Sequence, residues 1–169
     1  MSDPETNGTT HTRTITWEDP TATIQTGKTM SGLQYLQALQ AGEFPPPPIG
    51  VLMGMWITEV SEGHVIFAAE PAQYHYNPIG TVHGGFAATL LDSALGCVVQ
   101  SMLPAGTGYT TLELKVNYLR PMTDRTGVVY AEGKIIHMGG RVATAEARLT
   151  DESGKLYAHG TTTCILLRP

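Results

Sequence analysis

The sequence predicts an α+β domain in which an antiparallel β-sheet wraps one long central helix. Two observations carry this. After Gly50 the chain breaks into six short apolar or alternating runs separated by turn residues. Between the second and third runs lies one stretch, Gly84 to Leu103, in which apolar and small residues surround the whole helical circumference. A helix of that kind has to be enclosed, and the strands are the elements available to enclose it.

In chain order, residues 1–12 are small and polar, too poor in apolar surface to offset ordering entropy, and disorder is expected there. Residues 13–48 read as an N-terminal arm. Thr14-Ile15-Thr16-Trp17 alternates like a short strand, and Glu18-Asp19-Pro20 and Gly27 punctuate a loop. Ser31 is an N-cap for a helix carrying Leu33, Tyr35, Leu36 and Leu39, which Gly42 ends, and Pro45-Pro46-Pro47-Pro48 forms a stiff connector. Residues 49–169 form the main domain. Its expected strands are Val51 to Val60, His64 to Ala69, Thr110 to Leu119, Gly127 to His137, Arg141 to Thr150 and Leu156 to Leu166. Ser61-Glu62-Gly63, Met138-Gly139-Gly140 and Asp151-Glu152-Ser153-Gly154 suit antiparallel hairpins, and Pro104 closes the long helix.

The chain's 169 residues and 41% hydrophobic content fit one ordinary domain with a real core. A formal net charge of -5, with no local basic cluster, argues against nucleic-acid or anionic-membrane partners. The opening residues lack the basic start and apolar run of a signal peptide, and no stretch reads as a membrane span. Cys97 and Cys164 lie far apart and outside any CxxC pattern, which fits buried thiols in a reducing compartment, the cytoplasm. His75, His137 and His159 have no metal-ligand spacing such as HxH or HExxH, so metal catalysis is not expected.

Asp92 is the one charged residue between Phe86 and Leu103. Burying a carboxylate costs several kcal/mol unless it is paired or hydrogen-bonded, so it requires either a structural partner, such as Ser93 or the backbone, or a chemical role. His83-Gly84-Gly85 opens the same helix, where free N–H groups and the positive end of the dipole favour developing negative charge; the triplet also fits a plain tight turn. Asn77-Pro78 reads as a loop. Along a helix the nine residues from His83 to Asp92 amount to ~13 Å of rise and point the two side chains to opposite sides. If both serve one site, a two-fold dimer must bring Asp92 of one chain to His83-Gly84 of the other. Met53, Met55, Trp56, Phe86 and Leu90 are candidates for an apolar pocket and fit ordinary core equally well.

The segment from Asn77 through His83-Gly84-Gly85 to Asp92 resembles the signature of the PaaI-like thioesterases of the hotdog-fold superfamily. Thr110 to Pro121 resembles that group's strand after the central helix, and Gly140-Arg141 with Gly154 to Gly160 its last hairpin, so the likeness spans roughly 50–167. The resemblance implies a hotdog fold and hydrolysis of an acyl- or aryl-CoA thioester to the free acid and CoA without a cofactor. It implies Asp92 as nucleophile or general base and the Gly84 N–H as carbonyl donor. His83 and Asn77 would position the thioester, and Thr111 or, by a different loop-length choice, Thr110 would orient water. It places CoA near Gly85, Arg120, Met138, Gly139, Gly140 and Arg141, although a hairpin turn explains the two glycines as well. A homodimer with shared sites, assembled further into a homotetramer as a dimer of dimers, is the implied assembly. A non-catalytic acyl-CoA-binding protein and a hotdog hydratase or dehydratase remain the alternatives.

Overall fold

A computed structural model describes residues 8–168. Three short helices, α1 (Thr21–Gly27), α2 (Gly32–Gln40) and α3 (Pro48–Met53), precede strands β1 (Met55–Ser61) and β2 (His64–Ala69). The long helix α4 (Gly84–Gln100) follows, and then β3 (Gly108–Tyr118), β4 (Val129–Met138), β5 (Val142–Asp151) and β6 (Leu156–Leu167). The strands form one antiparallel sheet in the order β1-β2-β4-β5-β6-β3, and α4 lies against its concave face. This is the expected sheet around a helix, the hotdog arrangement.

Alternation builds the helix-facing layer. In β5, Ala143, Ala145, Ala147 and Leu149 point inward and are essentially inaccessible, against Phe86, Leu90, Leu91, Leu95, Val98 and Val99 of α4. Each large side chain of that set contributes roughly 1.5–3 kcal/mol by leaving water. Small residues let the layers close: a Cβ on Gly133 of β4 would fall 2.8 Å from the Ala94 carbonyl oxygen.

Four expectations along the chain are corrected. Thr14–Trp17 is not a strand; it pairs with none of the described residues, and Trp17 is 62% exposed. Its neighbour Arg13 does the anchoring instead, donating to the Leu52 and Val51 carbonyls at 2.8 and 3.1 Å, a cation at the C-terminal end of α3. Thr21–Gly27 is helical, a helix with no buried residue and hence no apolar period to read; Asp19 Oδ1 accepts the Thr21 N–H at its start. Val51-Leu52-Met53 belongs to α3, not to β1. Pro48 stands at the first helical position and Gly54, at φ 66°, supplies the left-handed stop, so the helix signals outweighed a short apolar run. The stiff connector therefore ends at Pro47. Finally, α4 stops at Gln100, where the Ser101 hydroxyl donates to the Val98 carbonyl.

The predicted N-cap holds: Ser31 and Gln34 form a reciprocal capping box on α2. Residues 1–7 of the expected disordered segment lie outside the described residues.

Candidate active site

α4 is not enclosed all round. Gly85, Ala88, Thr89, Asp92, Ser93, Cys97 and Gln100, spaced three and four apart, form a half-buried stripe on one side. Asp92 is thus half-buried, not sealed in the core. The lower part of this stripe faces a cavity of about 530 Å³. Its other walls are α2 (Tyr35, Leu36, Leu39, Gln40), the segment Pro46 to Gly50, β1 (Met55, Trp56, Ile57), and Tyr109 and Thr111 of β3. Among the described residues, Asp92 is the only charged one lining it.

The Thr111 hydroxyl donates to Asp92 Oδ1 at 3.3 Å, and among the described residues the carboxylate has no cationic partner within 4 Å. Ser93 does not bond it; its hydroxyl donates to the Thr89 carbonyl at 2.9 Å. β3 bulges between Thr111 and Glu113, with the Glu113 carbonyl taken by the buried Thr162 hydroxyl at 2.7 Å. Strand alternation turns Thr110 to the exposed face, so of the two threonines Thr111 is the one at Asp92.

Burial, and then the Asp92 charge, push the Cys97 thiol up to about 12. Burial also pushes the Tyr109 phenol well above its ordinary value, with smaller contributions from Cys97, Cys164 and Asp92, and it raises the Cys164 thiol. Both cysteines are free. The native protein is expected to show almost no fast-reacting thiol to a disulfide reagent at pH 8, and two after denaturation; prompt labelling of Cys97 in the folded protein would contradict this environment.

The other end of α4 has its own geometry. His83 is the N-cap: its Nδ1 accepts the Gly85 N–H at 2.8 Å. The Phe86 N–H goes to the His83 carbonyl and the His83 N–H to the His75 carbonyl. The Gly84 N–H has no partner among the described residues, which leaves it as the open donor at the helix start. A neutral His83 accepting at Nδ1 carries its proton on Nε2, directed away from the helix on an exposed ring. Gly84 borders a separate groove of about 300 Å³ with Val82, Ala87, Tyr118, Arg120 and Met122. The Asn77 carboxamide is spent on its own loop, accepting from the Ile79 and Thr81 N–H groups and donating to the Thr81 hydroxyl.

Arg120 and Arg141 stand far apart. Arg120 follows the Tyr118 end of β3 and donates to the Leu156 carbonyl at 2.6 Å. Arg141 sits beside Leu166, which pairs with Tyr109 at the opposite end of β3, some ~30 Å away along the strand. Gly139 and Gly140 form the β4–β5 turn with Met138 at its start. One protomer cannot aim both arginines at one CoA headgroup. Gly85 is occupied by the His83 cap, and its own Cβ would fall 2.8 Å from Nδ1.

Of the pocket candidates, Met55 and Trp56 line the cavity, whereas Phe86 and Leu90 are core. The residues missed from sequence are those of the arm: the apolar stripe of α2 was visible, but not what it covers. Among the described residues no group of three or more His, Cys, Asp or Glu could hold a metal, and no helix is long and apolar enough to cross a membrane.

Residues 79–158 match the thioesterase superfamily model. A Halobacterium salinarum protein, provisionally named an esterase, is 35% identical over 56% of this chain; the match spans 64% of that relative, just under two thirds. The human acyl-coenzyme A thioesterase 13 is 27% identical, over 65% of this chain and 78% of that protein. A phenylacetic acid degradation-related protein from Ralstonia eutropha superposes with a TM-score of 0.70 at 28% identity, covering 78% of this chain and 98% of that one. A mutant of the phenylacetic acid degradation protein PaaI from Thermus thermophilus gives 0.65 at 28% identity, covering 73% and 100%. The fold is the hotdog fold, and the segment from 79 to 158 is similar to the thioesterase superfamily. The two phenylacetic acid degradation proteins share this arrangement over nearly their whole length.

Proposed function

We propose that the protein hydrolyses acyl-CoA thioesters to the free acid and CoA. The observation that carries this reading is the Asp92–Thr111 pair, the sole charge in an otherwise apolar and polar-uncharged cavity large enough for an acyl group. The thioester carbonyl accepts a hydrogen bond from the Gly84 N–H, and His83 Nε2–H donates toward the departing sulfur. Asp92 either takes a proton from a water that Thr111 orients or attacks the carbonyl itself. Water supplies OH to the acid, and the thiolate leaves as CoA after taking up a proton.

Gly84 and Asp92 are eight residues apart on one continuous helix, ~12 Å of rise, and they border different depressions. A complete site therefore uses Asp92 of one chain with Gly84 and His83 of another. The sheet supports this: β3 is an eleven-residue edge strand paired only with β6. Two-fold antiparallel pairing of β3 with itself brings the Tyr118 end of one strand to the Gly108 end of the other. Arg120 then shares a site with Arg141 of the partner subunit, reconciling two cations that one chain separates. A further pairing into a tetramer, and a cytoplasmic setting for a CoA-dependent hydrolase, belong to the same proposal.

The test is release of CoA thiol from a panel of acyl- and aryl-CoAs, with sedimentation on the same samples. Turnover by a dimer or larger assembly is expected. A fully active monomer would contradict the shared site, and binding without turnover would favour the non-catalytic reading.

A further inference from the structure

The cavity beside Asp92 runs along α4 from Asp92 through Ser93, Gly96 and Cys97 to Gln100. At its far end α2 crosses α4. The first residue of α2, Gly32, is pressed so closely on α4 that a Cβ there would fall 1.8 Å from the Gln100 carbonyl oxygen. The Gly32 N–H donates to the Leu103 carbonyl at 2.9 Å, fixing that crossing. Tyr35 lies one turn further along α2, its ring 5.8 Å from that of Phe44, so an aromatic pair backs that end. From there α2 runs out to β1, where Gln40 Nε2 donates to the carbonyl of Thr58, the bulged residue, at 2.6 Å. Leu36 and Leu39 face the cavity, and Pro46, Pro47 and Ile49 form its outer rim.

The geometry points to the N-terminal arm as the element that sets acyl selectivity: α2 and the Pro46–Ile49 rim close the acyl cavity and limit its occupant to a medium-length chain. The inference rests on the thioesterase reading. It concerns residues 31–50, which lie outside the 79–158 region that defines the family.

The length follows from the helix. Asp92 to Gln100 is eight residues, ~12 Å. An extended alkyl chain with bonds of about 1.52 Å and angles near 111° advances about 1.25 Å per carbon, so the blind end is reached at about ten carbons. The apolar walls favour each added methylene up to that point, by about fourfold each in kcat/KM. Beyond it a straight chain meets Tyr35 and the Gly32 crossing and has to fold back or leave the cavity.

The experiment measures kcat/KM for straight-chain acyl-CoAs from four to sixteen carbons, using the full chain. For the wild type, kcat/KM should rise to about eight to ten carbons and fall at least tenfold by fourteen to sixteen. Tyr35→Ala opens the blind end and should raise the ratio of the sixteen- to the eight-carbon substrate at least tenfold. Leu39→Phe narrows the middle of the cavity and should move the optimum to shorter chains, which keeps the idea testable if Tyr35→Ala unseats α2. A wild-type profile without an upper limit, or one that neither variant shifts, overturns the proposal. Absence of turnover with every substrate overturns the thioesterase reading instead. In that case calorimetric titration with the same acyl-CoAs must show the same length limit in affinity, and a limit missing there overturns the arm's role.

Discussion

Replacing Asp92 by Asn is expected to lower kcat about 10³-fold while leaving the fold intact. The substitution keeps the shape of the side chain, and its oxygen can still accept from the Thr111 hydroxyl, so the packing of α4 on the sheet is untouched. What is lost is the only negative charge in the cavity, and with it the group able to take a proton from water or to attack a carbonyl. Positioned general bases contribute typically 10²–10⁴-fold, and a nucleophile that opens a covalent route contributes no less. KM should change by less than about threefold, because the carboxylate acts on the reacting atoms and not on the CoA moiety that supplies most of the binding. Thermal stability should hold or rise slightly, since a carboxylate whose one observed bond is a 3.3 Å contact from a hydroxyl carries an uncompensated desolvation cost. Single turnover in ¹⁸O-water, with hydroxylamine trapping of an acyl-aspartyl anhydride alongside, separates the two chemical routes. Label in the Asp92 carboxylate or a trapped anhydride marks attack by Asp92, and label confined to the released acid with no trapped anhydride marks a water activated by it. A variant with more than a tenth of wild-type kcat would remove Asp92 from the chemistry altogether.

The residues of this candidate site drew notice in the sequence because their signals are local. A helix that is small and apolar except for one acid, begun by His-Gly-Gly, is written in consecutive residues, and the structure supplies it as the seventeen residues Gly84–Gln100 capped by His83. The strands were equally legible, since alternation follows from one buried face. What sequence could not show was which side of α4 stays open. Read as an isolated helix, its Ala, Ser, Cys and Gln positions look like filler, yet Ser93, Cys97 and Gln100 turn out to floor a cavity. That fact depends on α2, whose amphipathic stripe announced a partner without naming it. The error at Val51–Met53 has a different origin. Six residues are too few for a helical period to outvote β-branched and apolar content, and only the flanking Pro48 and Gly54 decide. Arg141 and Arg120 illustrate a third limit. Each was credible as a phosphate-binding cation, but their opposite positions along β3 appear only when the strands are laid side by side.

The arm also permits a stability experiment that distinguishes a docked wall from a passive tail. Gly32→Ala is expected to displace α2 while the sheet and α4 keep their structure. The added methyl carbon would sit 1.8 Å from the Gln100 oxygen, 2.6 Å from its carbonyl carbon and 2.9 Å from its Cγ, and the first two of these are backbone. Gln100 cannot give way, because it ends a helix whose preceding residues Val98 and Val99 are wholly buried under the sheet. Movement must come from α2. Overpacking of this kind costs typically 1–3 kcal/mol, and breaking the Gly32 N–H to Leu103 carbonyl bond costs about 1 kcal/mol more. Against this, Ala is favoured over Gly inside a helix by about 1 kcal/mol, a gain that is small at a first helical position. The net loss corresponds to a Tm lowered by roughly 4–10 °C for a chain of this size if the arm unfolds with the rest. If the arm instead releases first, protease cleavage between Ala41 and Pro47 should accelerate before any change in the main transition. In both cases the upper limit on acyl length should relax, because the same contact that seats α2 closes the cavity. Unchanged Tm, unchanged cleavage and an unchanged length profile in Gly32→Ala would mean that α2 does not lie on Gln100 in solution, and the cavity would lose its end wall.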